Sequence, residues 1–417
     1  MKPLPRTMGA LWLAALSLSV QAADLSFTQA LQQAATQAAV LRQRQAEVAG
    51  ATSAMVAADA LPDPKVFAGI DNLPVQGADR FTLNRDFMTM QKIGVMQEIP
   101  NGERRQARAE SAKARAAQAE AALRLAEVTV NTETATAWLN RYYLQQQRAR
   151  LEELAQENRL WQGVVQSQLT SGKTSAADAL LPQQEALTLA TRRDALERDI
   201  RRADAMLARW TGDTGGPVTP TGEPPVFNVD ADHLRAHVHH HPALAGYEPL
   251  TGLAQAELHE AQAALRPDWA VEVGWQHRGP DFGDMVSFQV SADLPLFSRT
   301  RQTPLIEARR QALAGVEAER EDMRRDHAAT LESELAEHEA LSRELDRLQQ
   351  QALPLADQRV ELQRAAYEGG RADLGMVLAA RRDRRELQLQ ILELTRQQQT
   401  LAARLHYLYD FDEDAAP

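Results

Sequence analysis

Two groups of side chains in this sequence are of types that can bind metal. Met88, Met90 and Met96 recur at even spacing in DFMTMQKIGVMQEI, so on an extended chain they share one face with Lys92 and Glu98. Thioethers suit soft cations such as Cu(I) and Ag(I). Methionine also fills irregular space at a packed rim, and that plainer role is the preferred reading. The second group is HLRAHVHHHPAL, with His233, His237, His239, His240 and His241. A histidine-rich tract can hold metal. This one follows a linker at an expected helix start, and a solvated run with no bound ion is preferred. No Ser/His/Asp arrangement, phosphate-binding loop or carboxylate pair stands out, so the chain is expected to be no enzyme and to need no cofactor.

The elements that would position these groups follow from composition. The 417 residues are 44% hydrophobic, 25% charged and only 5% aromatic, a profile close to that of long helices and coiled coils. A net charge of −11 argues against nucleic acid as a partner, which would require a basic surface. Residues 1–22 read as an export signal, with Lys2 and Arg6 ahead of an apolar run from Gly9 to Val20 and small residues around Ala22. That run is shorter than the roughly 20 residues of a spanning helix. The absence of cysteine excludes disulfides, thiolate metal sites and a cysteine-linked lipid anchor. Export without a helical anchor leaves the periplasm, the outer membrane or the exterior.

The chain repeats itself. LPDPKVFAGIDNLPV and MQKIGVMQEIP precede a long helical pattern beginning near NGERRQARAESAK and ending at LTSGKTSAADAL. LRPDWAVEVGW and MVSFQVSADLP precede a second, from SRTRQTPLIEARR to YEGGRADLGMVL. The expected organisation is a first repeat over 23–210, a Pro/Gly linker over 211–230, a second repeat over 231–410 and an acidic tail over 411–417. The helix-to-helix tips fall near 169–180 and 367–378. Each long helical run, read from Glu103 to about Leu169 and from Pro304 to about Tyr367, would extend about 100 Å at 1.5 Å per residue. Such a rod needs coiled-coil neighbours to bury its apolar stripe.

Strands are expected at 62–74, 87–99, 267–278 and 285–296. Trp269, Val271, Val273 and Trp275 alternate with Ala270, Glu272, Gly274 and Gln276, and Val286, Phe288 and Val290 alternate with Ser287, Gln289 and Ser291. Segments of about ten alternating residues suit a transmembrane barrel and, equally, a half-buried soluble sheet. Four strands cannot enclose a water-filled lumen, and open edges are not tolerated in hydrocarbon. Either the sheet lies outside a membrane or several chains share one barrel.

The signal segment, the duplicated hairpin and long helix, the linker and the tip motif YEGGRADLGMVL together resemble a TolC-type outer-membrane efflux factor over essentially the whole mature chain. The segment from LPDPKVF to MQEIP is similar to the branch working with heavy-metal exporters of the resistance-nodulation-division class, CzcC-like or CusC-like. The fold class expected is mostly α with a small antiparallel β part. The resemblance implies a homotrimer in outer-membrane lipid, a shared 12-stranded transmembrane β-barrel to which each chain gives four strands, and an α-helical coiled-coil barrel crossing the periplasm. It also implies a periplasmic membrane-fusion adaptor and an inner-membrane pump as partners. By the same resemblance Gly172 and Gly370 occupy the tip turns, and Asp178 and Tyr367 bond to each other to hold the tip closed. Met376 and Ala379 stand where an acidic ring would lie, which leaves Asp373 as a displaced substitute. The competing reading is a periplasmic helical adaptor or structural coiled coil without a pore.

Overall fold

The computed structural model describes residues 23–172, 174–212 and 218–410, and the side chains of Ala23 and Asp178 are outside that description. The expected signal segment and acidic tail therefore lie outside the described residues. In chain order the first elements are β1 (Ala23–Ser26), α1 (Phe27–Gln37), α2 (Ala39–Ala57), β2 (Lys65–Asp71), β3 (Met90–Ile99), α3 (Gly102–Thr170), α4 (Leu181–Thr211) and β4 (Val218–Thr221). Then come α5 (Ala231–His237), α6 (Pro242–Ala245), α7 (Tyr247–Ala263), β5 (Trp269–His277), β6 (Met285–Ala292), α8 (Gln302–Arg347), α9 (Leu353–Glu368) and α10 (Leu374–Tyr409). None of the described helices is long and apolar enough to cross a membrane.

The chain divides into two compact units. One comprises Met1–Gln37, Thr134–Val226 and Leu345–Thr400. Here β1 and β4 pair in parallel, Ala23 opposite Val218 through Ser26 opposite Thr221. The linker expected over 211–230 thus contains the strand β4. Gly212 breaks α4 at φ 87°, residues 222–230 form neither helix nor strand, and Asp230 caps α5 by accepting from the Asp232 and His233 amides. Trp138 is fully buried behind β1. Its indole N–H donates to the Leu25 carbonyl at 2.8 Å, Phe27 meets it edge-on and Tyr142 stacks on it. Farther along, Leu151, Leu154 and Leu189 form a small core with Leu196 and Leu389 against it.

The other unit comprises Ala38–Glu133, Phe227–Glu344 and Leu401–Pro417. Its core is Leu234, Leu331, Leu335, Leu405 and Tyr409. It carries a four-stranded antiparallel sheet in the order β2-β3-β5-β6. Each repeat supplies one hairpin, and the β3–β5 pairing, from Gln91 opposite His277 to Ile99 opposite Trp269, joins them. The strands are shorter than the alternation suggested. Pro62, Pro64, Pro74, Pro267 and Pro295 flank them, and proline cannot donate to a ladder. Met88, inside the expected strand 87–99, falls in the turn before β3. There the Asp86 carboxylate accepts from its amide at 2.7 Å and Asn72 Nδ2 donates to its carbonyl at 3.3 Å.

The long helical arms differ. α3 runs 69 residues unbroken, whereas the second arm is α8, a π-helical turn at Leu348–Ala352 and then α9. Pro354 explains the turn: it has no N–H to give and its ring crowds the carbonyl four residues back, and a wider turn relieves both.

Candidate functional site

The sheet is built the wrong way round for water. Val66, Ile93, Val95, Trp269, Val271, Val273, Trp275, Val286, Phe288 and Val290 share one face by the registers, and all are exposed, Phe288 to 77%. A soluble half-buried sheet covers this face and leaves the polar one wet. Here Glu272 and Gln276 are half-buried and Gly274 is buried. An apolar patch spanning four strands is far beyond what a soluble monomer displays.

The polar face is internally matched. Lys65 pairs with Glu98 and Lys92 with Asp71, the latter at 3.0 Å. Gly94 and Gly274 lie opposite each other, and the Phe67 ring lies over them. A Cβ on Gly94 would sit 2.4 Å from Phe67 Cζ, so the glycines make room for a ring lying against the sheet. Lys92 Nζ is 5.7 Å from that ring's centre. Sequence reading missed Phe67. The signal available was the pair of glycines on facing strands with one aromatic on the neighbouring strand.

The sheet is fastened to the helices below it by Asn101 and Asp268. The Asn101 backbone amide donates to Asp268 Oδ1 at 2.8 Å, Arg104 donates to Asp268 Oδ2 at 2.5 Å, and Asn101 Oδ1 accepts from the Arg104 amide as the cap of α3.

Met90 and Met96 lie on the polar face of β3, six residues and about 20 Å apart at strand rise. Met88 sits exposed in the turn. The three thioethers therefore do not converge on one ion within a chain. Met96 stands opposite Lys65 on one side and Glu272 on the other.

At the tips, Gly172 and Gly370 adopt φ 72° and 68°, the left-handed region open to glycine without steric cost. Their amides close the ends of α3 and α9 on the carbonyls of Leu169 and Tyr367, at 3.1 and 2.9 Å. Asp373 is exposed and caps α10, its Oδ1 accepting from the Met376 amide at 3.2 Å. Tyr367 is 44% exposed, and Asp178 opens a short 3-10 turn, Asp178–Leu180.

The histidine tract is not uniformly solvated, which corrects the expectation. His233 and His237 stack with ring centres 4.2 Å apart, and His233 Nε2 lies 3.2 Å from Asp410. His241 is buried, its Nδ1 accepts from the Ala243 amide to cap α6, and its ring lies 3.9 Å from that of His327 and 5.3 Å from Tyr409. Burial, helped by the neighbouring His327, lowers its pKa from 6.5 to about 4. No group of three or more metal-ligating His, Cys, Asp or Glu side chains forms among the described residues.

The family model described as "Outer membrane efflux protein" matches residues 239–409. Over residues 239–409 the chain is thus similar to outer membrane efflux proteins. That family is one of outer-membrane channels, not enzymes, and its helical part extends into the periplasm. The fold likeness covers the first half as well. A crystal structure of CusC, described in terms of folding and transmembrane channel formation, superposes with a TM-score of 0.77 over 94% of each chain at 16% identity. The outer membrane protein VceC of Vibrio cholerae gives 0.74 at 17% identity, covering 92% of this chain and 95% of that one. The Campylobacter jejuni CmeC outer membrane channel gives 0.74 at 11% identity, over 92% and 85%. No curated protein matches the sequence. The efflux-protein fold accounts for the inverted sheet, whose exposed apolar face suits lipid.

Proposed function

We propose that this efflux protein is the outer-membrane conduit of a tripartite export system for heavy-metal cations, working as a homotrimer. Three copies of the four-stranded sheet close one barrel, and the α3-α4 and α8-α10 arms form the tunnel that meets a periplasmic adaptor and an inner-membrane pump of the resistance-nodulation-division class. The observation that carries this reading is the four-stranded sheet with an exposed apolar face and two open edges, β2 and β6. Sharing a barrel among copies satisfies both edges and hides that face in lipid. An adaptor or a structural coiled coil has no use for either feature. The test is recovery: a conduit requires detergent for release from outer membranes and elutes as a trimer, and release by salt alone as a soluble protein sinks the proposal.

Soft cations are the favoured cargo, supported by Met90 and Met96 on the polar face and by the resemblance of the segment from LPDPKVF to MQEIP to the heavy-metal branch. Changing Met88, Met90 and Met96 together to Leu is expected to lower growth under copper and silver stress at unchanged trimer yield and unchanged zinc tolerance. Equal copper and silver tolerance in the variant would leave these methionines a packing role only.

The tip turns at Gly172 and Gly370 are assigned to closure, with Asp178 and Tyr367 as latch partners. Few hydrogen bonds, each contributing about 1 kcal/mol net, would hold such a latch. Tyr367→Phe with Asp178→Ala is therefore expected to raise single-channel conductance in planar bilayers without changing trimer content. Wild-type conductance in the double variant removes both residues from gating.

A further inference from the structure

The polar face of the sheet carries five charged side chains among its described residues: Lys65, Asp71, Lys92, Glu98 and Glu272. Four are spent on each other, as Lys65 with Glu98 and Lys92 with Asp71. Glu272 makes no ion pair among the described residues. Its cross-strand neighbours are Met96 on β3 and Gln289 on β6, neither of which carries charge. The opposite face of the four strands holds no Asp, Glu, Lys or Arg. The sheet thus presents one uncompensated negative charge per chain, at a single level about midway along β5, and only on the side away from the apolar surface.

We propose that Glu272 is the residue that makes the barrel section select cations over anions. This rests on the trimeric conduit reading, in which the polar face lines the lumen. Threefold symmetry then sets three Glu272 carboxylates at one height, with a Met96 thioether beside each. A ring of like carboxylates in an aqueous passage with low-dielectric walls concentrates counter-ions and repels anions, as acidic rings do in cation channels. The two lysine–carboxylate pairs add little field at a distance, because each is a close dipole. One register step away, the Phe67 ring lies over Gly94 and Gly274. Glu272 sets the sign of the permeant ion.

The test is the reversal potential of purified full-length trimer in planar bilayers under a KCl gradient. Glu272→Gln keeps the shape and removes the charge. It is expected to lower the cation-to-anion permeability ratio by about threefold while trimer yield and conductance at high salt stay at wild-type values. The double variant Lys65→Gln with Glu98→Gln removes a matched pair and is expected to leave the ratio unchanged. A wild-type ratio in Glu272→Gln overturns the proposal while leaving the conduit intact, and so does an equal fall in the matched-pair variant. Wild-type protein that conducts nothing overturns the conduit reading and this proposal with it.

Discussion

Val271→Arg is expected to abolish recovery of membrane-inserted trimer, whereas Glu272→Leu, one residue away, leaves recovery near wild type. Val271 lies on the apolar face opposite Val290 of β6, and its side chain is exposed in the single chain. In a soluble sheet that exposure would make arginine harmless, because its head would reach water. In a shared barrel the same position meets hydrocarbon, where an arginine near the midplane costs on the order of 2–4 kcal/mol. A trimer incurs that cost three times. Glu272 points the other way, and leucine there only removes a charge from the wall, so assembly survives even though ion selection does not. Trimer content of detergent-solubilised outer membranes reads both variants. Equal yields of Val271→Arg and Glu272→Leu would mean that the two faces are assigned wrongly.

Acid is expected to loosen the unit built around His241, and His241→Asn to relieve much of that sensitivity. In the folded chain His241 is held neutral down to about pH 4, by burial first and by His327 second. Unfolded, it takes up a proton near its ordinary value of 6.5. The unfolded state therefore binds more protons as pH falls through this window. The stability that His241 contributes is complete above about pH 6.5 and is lost progressively towards pH 4, by an amount on the order of 2 kcal/mol. His327, whose ring lies 3.9 Å from it, has its own pKa lowered by burial and adds to the loss in the same direction. Asparagine keeps the capping interaction with the Ala243 amide and cannot titrate there. Melting temperatures of the purified trimer at pH 7 and pH 4.5 should therefore differ less in the variant. An identical drop in both proteins would show that His241 does not govern the acid response.

Much of this fold was legible in the sequence because its elements depend on local pattern. Trp269 to Gln276 alternate without a break, and the paired repeat put two such hairpins ahead of two long helical arms. The face that Glu272 shares with Gly274 followed from period-two spacing alone. What stayed hidden depends on neighbours far along the chain. The even spacing of Met88, Met90 and Met96 continues past the point where the strand begins, and only the hydrogen bonds that Met88 makes with Asn72 and Asp86 show that it belongs to a turn. His241 reads as one of five similar residues until His327 and Tyr409, both far along the sequence, close over it. The parallel pairing of Ala23–Ser26 with Val218–Thr221 left no mark, because VTPT has neither alternation nor a strong apolar run. The π turn before α9 was announced by Pro354, but its form depends on a helix that packing holds continuous across the proline. Phe67 shows how a site can be missed although its residues are visible: two glycines and an aromatic lie on three different strands, and only the register brings them together.

The central assignment is that one face of the sheet meets lipid and the other meets water, and the cysteine-free chain allows this to be measured one residue at a time. Single cysteines at positions 286 to 291 of β6, in trimer reconstituted into lipid bilayers, can be probed with a membrane-impermeant maleimide and, once carrying a fluorophore, with lipid-borne quenchers. A shared barrel gives strict alternation: cysteines replacing Ser287, Gln289 and Ser291 react with the maleimide, while fluorophores in place of Val286, Phe288 and Val290 are quenched from the lipid. Uniform maleimide reaction at all six positions, with no quenching from lipid, would mean that the sheet lies in water and that the chain forms no transmembrane conduit.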